Sequence, residues 1–264
     1  MKVILYNESA AEELNVEEIA QYLRQKLGKV KIEVRKNPFV SRLSQDNILA
    51  FARKIASAKI QQTNQKIPSE QEPLYGEIEY EKRRILGKTR AFGVLYDGFR
   101  LRRIFGEIIP GEELSLKFVH IIFTNRLFAT WDANNQRYHL RASIYSIPSL
   151  VSTTGLIEAP AKPREYYLLK QQYERLGKDL SELRERFRGS FLDYEDERLT
   201  EVAKGYAMQA VFYSLTGEPF CDDKGCRLYN AHWQEELIFA QLESEYEFCQ
   251  RHTELLKKAQ ARQG

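Results

Sequence analysis

Three cysteines and a histidine near the carboxyl end constrain the fold of this chain more than any other feature. Cys221, Cys226, Cys249 and His252 fall within 32 consecutive residues, and they include all three cysteines and one of the four histidines of the chain. Thiolate and imidazole are the preferred ligands of a tetrahedral structural zinc ion, whose site is closed and leaves no position for a substrate. These four residues therefore predict a structural zinc site.

The spacing of the four residues favours a shared metal ion. Four residues, one of them a glycine, separate the first two cysteines, which suits a knuckle that turns both sulfurs inward. Cys249 and His252 are three positions apart and would share one face of a helix. Two alternatives remain open. The cysteines could be buried or exposed without a metal, or His232 could replace His252 as the fourth ligand.

The composition of the chain excludes several classes of protein. With 43% apolar and 29% charged side chains, 264 residues can bury a substantial soluble core. Forty basic against 37 acidic side chains leave a net charge of +3, too small to make the whole molecule a ligand for polyanions. Three cysteines are too few for a disulfide framework and suit a reducing compartment. Since neither a signal peptide nor a run of about 20 apolar residues occurs, the sequence predicts a cytoplasmic protein with no membrane segment.

Hydrophobic periodicity predicts alternating strands and helices in the first half of the chain. Strands are predicted at 2–6 and 30–34, and helices at 15–28, with a capping-box pattern, and from Ser44 onward. The stretch 61–73 contains two prolines and predicts a flexible linker or surface loop. Further strands are predicted at 76–86, 91–105, 116–130 and 137–147, the last preceded by a turn at 132–135.

Helices dominate the sequence after Pro163. Apolar residues spaced by three and four over 166–187 predict one long helix packed on the sheet, with a homodimeric coiled coil as the alternative. A second helix is predicted to end at Gly217, and a third to cover about 231–256. The chain is therefore predicted to be an α/β protein with a helical C-terminal layer.

The residues around the knuckle have the spacing of a known peptidase signature. Gly217, Cys221 and Cys226 match it, Leu228 stands where it has a methionine, and His252 stands where it has its final cysteine. The segment thus resembles the archaemetzincins, a branch of the metzincin zinc peptidases with the signature HExxHxxGxxHC, then C-x-M and a later CxxC. This resemblance implies a metzincin-like mixed, twisted sheet with a structural zinc knuckle.

The resemblance also suggests a division of the chain. It extends over roughly 116–252 and includes 120–128 and 149–152, which resemble the strand and segment before the active helix of that family. We therefore predict an N-terminal α/β region at 1–110 and an archaemetzincin-like region at 111–264, which can also form one continuous domain.

The catalytic places of the signature carry residues that cannot perform its chemistry. Counted from Gly217, the three zinc histidines of the signature fall on Ala210, Ser214 and Phe220. Its general-base glutamate falls on Val211. In an active member, two histidines at i and i+4 hold zinc and the glutamate activates the bound water. Alanine has no donor atom, a lone serine hydroxyl is a poor ligand, and no histidine occurs between His139 and His232. The resemblance therefore implies a catalytically degenerate member without catalytic residues.

The leading hypothesis is a protein that keeps one structural zinc and binds a peptide or protein segment in the retained cleft without cutting it. The first alternative is an active hydrolase with a rearranged metal site, whose candidate ligands are His120, His139, His232, Glu235 and Glu236. His120, however, has the apolar neighbours of a hydrogen-bonded core histidine. If 133–134 form a hairpin tip, His120 pairs near Ile147 and His139 near Phe128, which keeps the two histidines apart.

The second alternative is a nucleic-acid-binding module. Eight basic residues between 82 and 103, with interleaved aromatic rings, form the pattern expected of such a surface. Two adjacent strands with solvated arginines on their outer faces explain the same pattern and are favoured. A peptide or protein partner is therefore predicted in preference to nucleic acid.

Overall fold

A computed structural model describes residues 1–8, 14–35, 37, 45–68, 71–87 and 93–261. Its strands are β1 (Lys2–Asn7), β2 (Lys31–Arg35), β3 (Leu95–Asp97), β4 (Phe118–Thr124), β5 (Leu127–Asp132), β6 (Arg137–Arg141), β7 (Ser143–Ile144) and β8 (Ser149–Ser152). Its α-helices are α1 (Val16–Leu27), α2 (Gln45–Ser57), α3 (Tyr75–Ile85), α4 (Gly98–Gly106), α5 (Thr153–Glu158), α6 (Arg164–Arg175), α7 (Leu180–Arg186), α8 (Leu199–Thr216), α9 (Gln234–Ile238) and α10 (Gln250–Ala261). A 3-10 turn (Gly111–Glu113) and a π-helical turn (Phe239–Glu243) complete the regular elements.

A five-stranded mixed sheet organises the molecule, in the order β2-β1-β4-β8-β7. The first four strands are parallel, and β7 pairs antiparallel with β8 at the edge. Strands from both sides of residue 110 therefore share one sheet, since β1 pairs with β4 along its whole length. A second, smaller sheet has the order β3-β5-β6.

The main sheet is covered on both faces, which explains the continuous apolar run of β1. Val3 and Leu5 point into a core with α1 and α8, whereas Ile4 and Tyr6 point into a core with α2, α3 and α4. A strand buried on both faces requires apolar side chains at successive positions rather than at alternate ones. The α/β class and the helical layer predicted from the sequence are confirmed.

The predicted N-terminal elements are also confirmed where the structure describes them. Asn15 caps α1 by accepting a hydrogen bond from the Glu18 amide at 3.1 Å, and Gly28 ends the helix at φ 66°, a conformation that favours glycine. Ser44, the predicted start of the next helix, lies outside the described residues. In the predicted loop 61–73, the Ile67 side chain is buried and its amide donates to the Tyr138 hydroxyl at 3.2 Å.

Two predicted strands in the middle of the chain are wrong. Residues 76–86 form helix α3, whose buried face includes Ile78 and Ile85 at heptad spacing. Within 93–105, the described part of the second predicted strand, only β3 is extended, because Asp97 accepts a hydrogen bond from the Arg100 amide at 3.0 Å and starts helix α4. The arginine-rich segment is therefore not a pair of solvated strands.

The predicted β-structure from 116 to 147 is confirmed with breaks. Residues 116–130 divide into β4 and β5, and 137–147 into β6 and β7, while the predicted turn forms with the Asn134 amide donating to Asp132 at 2.8 Å. The predicted neighbour of His120 is wrong, since His120 pairs with Ile4 in the parallel sheet. His139 pairs with Thr130, which is two residues from the predicted Phe128 on the same strand.

The predicted long helix at 166–187 is wrong, because the chain turns back at Gly177. Helices α6 and α7 are joined by a short turn in which Gly177 has φ 62°. The apolar seam is satisfied inside this hairpin, in a cluster of Tyr166, Leu169, Tyr173, Leu180, Leu183, Phe187 and Phe191. The apolar residues at helical spacing are therefore buried as predicted, but the residues of α6 pack against those of α7 rather than against the sheet.

The last predicted helix also divides. Residues 234–243 form α9 and the π-helical turn, and a loop precedes α10, which begins at Gln250. By contrast, α8 forms as predicted and ends at Gly217, which has φ 82°. None of the described helices combines the length and the apolar character needed to cross a membrane.

Helix α5 packs directly on the main chain of β6 and the residue after it, and Gly155 makes this approach possible. A Cβ atom at Gly155 would lie 2.6 Å from the Arg141 carbonyl oxygen and 3.0 Å from the Ala142 Cα, both of which are backbone atoms. We expect Gly155→Ala to destabilise the fold by about 1–3 kcal/mol through overpacking. Urea denaturation checks this, with Gly111→Ala, where a Cβ meets nothing within 4 Å, as the control.

Candidate metal centre and the neighbouring groove

The four predicted zinc ligands lie together, with their ligand atoms all within 4.8 Å of one another. The Cys221 and Cys249 sulfurs are 3.8 Å apart, and His252 Nδ1 lies 3.6 Å from the Cys226 sulfur and 3.1 Å from the Cys249 sulfur. The sequence spacing thus brings residues from two separate segments to one point.

These distances fit a tetrahedral zinc ion. With zinc–sulfur bonds of about 2.3 Å and zinc–nitrogen bonds of about 2.0 Å, the ligand atoms of a tetrahedron are about 3.8 Å apart for two sulfurs and about 3.5 Å for sulfur and nitrogen. The separations of 3.8 Å and 3.6 Å match these values, and the shorter one of 3.1 Å requires only a small adjustment. Zinc is therefore consistent with this Cys3His cluster.

Local backbone structure aims the ligands inward. The Cys221 amide donates to the Leu228 carbonyl at 2.9 Å, and the Cys226 amide donates to the Asp223 carbonyl at 3.0 Å, which closes the knuckle as a tight loop. Cys249 immediately precedes α10, and its carbonyl accepts the first helical hydrogen bond from Thr253 at 2.9 Å. Cys249 and the buried His252 therefore share the first turn of that helix, as their spacing predicts.

Burial makes the thiolate forms of this cluster depend on a cation. Burial raises the pKa of Cys226 to about 12 and also raises the pKa of Cys221. Burial lowers the pKa of His252, which favours the neutral imidazole that a metal requires. Thiolates packed this closely need a positive charge between them, which a zinc ion would supply.

A set of ion pairs outside the ligands holds the knuckle against the rest of the fold. The Arg227 amide donates to the Glu247 carbonyl at 2.8 Å, and its guanidinium contacts the Glu247 and Glu201 carboxylates. Glu247 also accepts a hydrogen bond from the Tyr22 hydroxyl at 2.6 Å. The knuckle is thereby joined to α1 and α8. The sequence reasoning missed these residues. The one available signal was the position of Arg227 directly after Cys226 and of Glu247 two residues before Cys249.

The candidate ligands of a rearranged site do not come together in the described part of the chain. His120 is 1% exposed and contacts the Tyr6 hydroxyl at 3.0 Å and the Glu113 carbonyl at 3.1 Å, so its prediction as a hydrogen-bonded core histidine is confirmed. Glu236 caps α9 by accepting hydrogen bonds from the amides of His232 and Trp233 at 3.0 and 3.2 Å. Among the described residues, the Cys3His cluster is the one group of three or more such side chains close enough to hold a metal.

The four residues at the catalytic positions of the peptidase signature lie partly in the core and partly along a groove beside α8. Val211 is fully buried and packs in the core, whereas Ala210 and Ser214 contribute to the wall of a cavity of 560 Å³. Phe220 lies beyond the end of α8 and is 39% exposed. The four positions therefore do not face one common site, since Val211 belongs to the core and Phe220 to the exposed surface.

Tyr145, between β7 and β8, covers this part of α8. Its ring lies 5.6 Å from the ring of Phe220 in an edge-on arrangement and 6.3 Å from the ring of Tyr213. Its hydroxyl donates to the side-chain oxygen of Gln209, which is 1% exposed, and the Gln209 amide donates to the Tyr229 carbonyl at 3.2 Å. Burial raises the pKa of Tyr145 well above its ordinary value, so the hydroxyl stays protonated and remains a donor. Tyr145 and Gln209 thereby join β7, α8 and the knuckle.

Two solved structures are similar in fold to this chain. An archaemetzincin from Methanopyrus kandleri has 14% identity and a TM-score of 0.44, covering 99% of this chain and 96% of that one. A zinc-dependent peptidase from Methanocorpusculum labreanum strain Z has 11% identity and a TM-score of 0.41, covering 96% of this chain and 98% of that one. No protein of curated function matches the chain.

The sequence profile of one family matches almost the entire chain. The match covers residues 1–259 and so includes the N-terminal 110 residues, for which the knuckle signature offers no counterpart. The predicted relationship to metallopeptidases is confirmed, and the chain belongs to the family described as a probable metallopeptidase family, DUF6775.

Proposed function

We propose that this protein is a metallopeptidase-family member that holds one structural zinc ion at Cys221, Cys226, Cys249 and His252 and binds a peptide or protein segment without cleaving it. The zinc stabilises the contact between the knuckle and α10. The groove beside α8 serves as the binding surface. No catalytic residue is assigned.

The structural role of the metal is supported by the closure of its site. Four protein ligands complete a tetrahedral coordination and leave no position for a water molecule or a substrate carbonyl. The site also joins two segments that are separated by more than twenty residues, so metal binding contributes directly to folding free energy. Both features are typical of metals that hold a fold together.

The observation that carries the non-catalytic half of the proposal is the packing of Tyr145. The signature that this chain resembles has metal ligands at the positions of Ala210, Ser214 and Phe220. The Tyr145 ring packs on Phe220, and its hydroxyl is held by Gln209, the residue next to Ala210. The Phe220 ring is thus engaged in an aromatic contact and Ala210 offers no donor atom, so neither position supplies the ligand that a catalytic metal needs, which supports a non-catalytic role.

Metal counting combined with an activity assay tests the proposal. We expect elemental analysis of the purified protein to give one zinc per chain, with no hydrolysis of casein or of a fluorogenic peptide at any zinc concentration. Hydrolysis that a chelator abolishes would reject the non-catalytic role. A second tightly held metal per chain would favour a rearranged hydrolase site instead.

A further inference from the structure

The cavity beside α8 carries an unusual combination of side chains. Its walls are mostly apolar and include Leu116, Phe118 and Ile147, and its volume is 560 Å³. Arg102, on α4, is the one charged residue among those that the structure describes in this lining. A pocket with apolar walls and a single fixed charge selects a ligand that has both characters.

Arg102 is available to a ligand. It is half-buried, and the Ile147 carbonyl at 3.2 Å is the one hydrogen-bond acceptor that the described part of the chain offers it. No carboxylate among the described residues lies within salt-bridge distance of its guanidinium. Because a guanidinium has five N–H donors in a planar fork, most of them remain free to bind an anion, and a carboxylate fits that fork with two parallel hydrogen bonds.

Hydroxyl groups complete the polar part of the cavity, which Tyr213 lines together with two serines. Ser146 and Ser214 line it, and neither hydroxyl makes a hydrogen bond to another described residue. Each can therefore donate to or accept from a ligand main chain. Ser214 lies on α8 and Ser146 on the segment before β8, so the two groups stand on two separate elements of the lining.

We propose that this cavity binds the C-terminus of a peptide, with its carboxylate on Arg102 and its last apolar side chain against Phe118 and Ile147. The inference rests on the proposed function, since it names the ligand class of the same groove. Charge complementarity carries it, because the described residues of the lining include one cation, Arg102, and no acidic side chain.

A chain terminus fits the cavity better than an internal acidic residue does. An internal aspartate or glutamate brings main-chain groups on both sides, and each buried N–H and C=O needs a partner. The lining provides the hydroxyls of two serines and one tyrosine, enough for the single peptide group that precedes a terminal residue. A terminal residue also carries its carboxylate and its apolar side chain on the same α-carbon.

Fluorescence polarisation with a matched pair of peptides tests the inference. The probe is a fluorescein-labelled pentapeptide of glycine, two alanines, phenylalanine and leucine, prepared with a free carboxylate and as its C-terminal amide. We expect the acid to bind the wild-type protein at least about tenfold more tightly than the amide, the loss expected for one charge-assisted contact. Arg102→Gln should abolish this preference, and Arg102→Lys should restore part of it.

Arg103→Gln is the control, because Arg103 is the exposed neighbour on the same helix and does not line the cavity. It should bind both peptides as the wild type does, and melting curves should show that all variants are folded. Equal binding of acid and amide, or no binding of the acid, would overturn the inference. Mass spectrometry of the same samples separates this from the proposed function, since only cleavage of a peptide would contradict the absence of catalysis.

Discussion

Replacing His252 by alanine is expected to remove the zinc and to lower the melting temperature by about 10 °C or more. His252 is 3% exposed, and its Nδ1 atom lies within hydrogen-bonding distance of two of the three sulfurs. Without it, three thiolates remain in a buried site with an open coordination position. A loss on the order of 4 kcal/mol corresponds to that shift for a chain of this size. Elemental analysis and differential scanning calorimetry provide the two measurements.

His232→Ala is the matched control for this change. His232 stands close to the knuckle in sequence, but its side chain is not one of the clustered ligands. Its main chain is held, because the amide donates to Glu236 and the carbonyl accepts from the Ala161 amide. The control should keep one zinc and the wild-type melting temperature. A chelator should destabilise the wild type and the control by the same amount and leave His252→Ala almost unchanged. Full zinc content in His252→Ala, with loss of zinc in His232→Ala, would reverse the ligand assignment.

Replacing Arg126 by methionine is expected to cost about 3–5 kcal/mol of folding free energy. The Arg126 side chain has no exposed surface, and its guanidinium pairs with the carboxylates of Glu8, at 3.2 Å, and Glu81. These carboxylates are themselves 4% and 0% exposed, so removing the cation leaves buried negative charge without its main partner. Urea denaturation of the variant should show the loss as a lower transition midpoint.

Neutralising Glu8 and Glu81 together with Arg126 separates the effect of unpaired charge on stability from the effect of altered packing. In the triple variant Arg126→Met, Glu8→Gln, Glu81→Gln no unpaired charge remains on these three residues, so a large part of the lost stability should return. Arg137→Met, at an exposed position of β6, should change stability by less than about 0.5 kcal/mol. An Arg126→Met protein as stable as the wild type would show that the ion pairs contribute little to folding.

The metal cluster could be predicted from the sequence because its signal is local. Cys249 and His252 are predicted ligands three positions apart, and the residues between Cys221 and Cys226 close by short-range hydrogen bonds. The cap of α1 by Asn15 and the end of α8 at Gly217 are local in the same sense. Each depends on a side chain or a backbone conformation within a few residues of its partner.

The strand-rich interpretation of 76–105 failed because its apolar residues are satisfied by distant partners. Ile78 and Ile85 pack in the same core as Tyr6 and Ile122, so their burial depends on the parallel sheet rather than on neighbours in sequence. The pairing of β1 with β4, more than a hundred residues apart, was likewise invisible to a local pattern. Tertiary contacts of this kind override periodicity.

Some residues of the groove could be predicted from the sequence, and others could not because tertiary contacts bring them there. Ala210, Ser214 and Phe220 followed from counting within one segment. Tyr145 and Arg102, which reach them from β-structure and from α4, carry no sequence signal of their own. Their roles depend on where the sheet places them.

The two ends of the main sheet differ in structure: one holds a buried ion pair and the other holds the groove. Between β1 and β4 the winding of the sheet reverses, and in open parallel sheets the crevice at the carboxyl ends of such strands commonly receives the ligand. Here that crevice is filled by the protein itself, with Glu8 following β1 and Arg126 following β4. The groove lies instead at the opposite pole, where Phe118 begins β4 and Ile147 precedes β8. A substitution in the groove can therefore change ligand binding without disturbing the ion pair of Glu8 and Arg126 at the other end of the sheet. Ligand binding and fold stability can thus change independently in evolution.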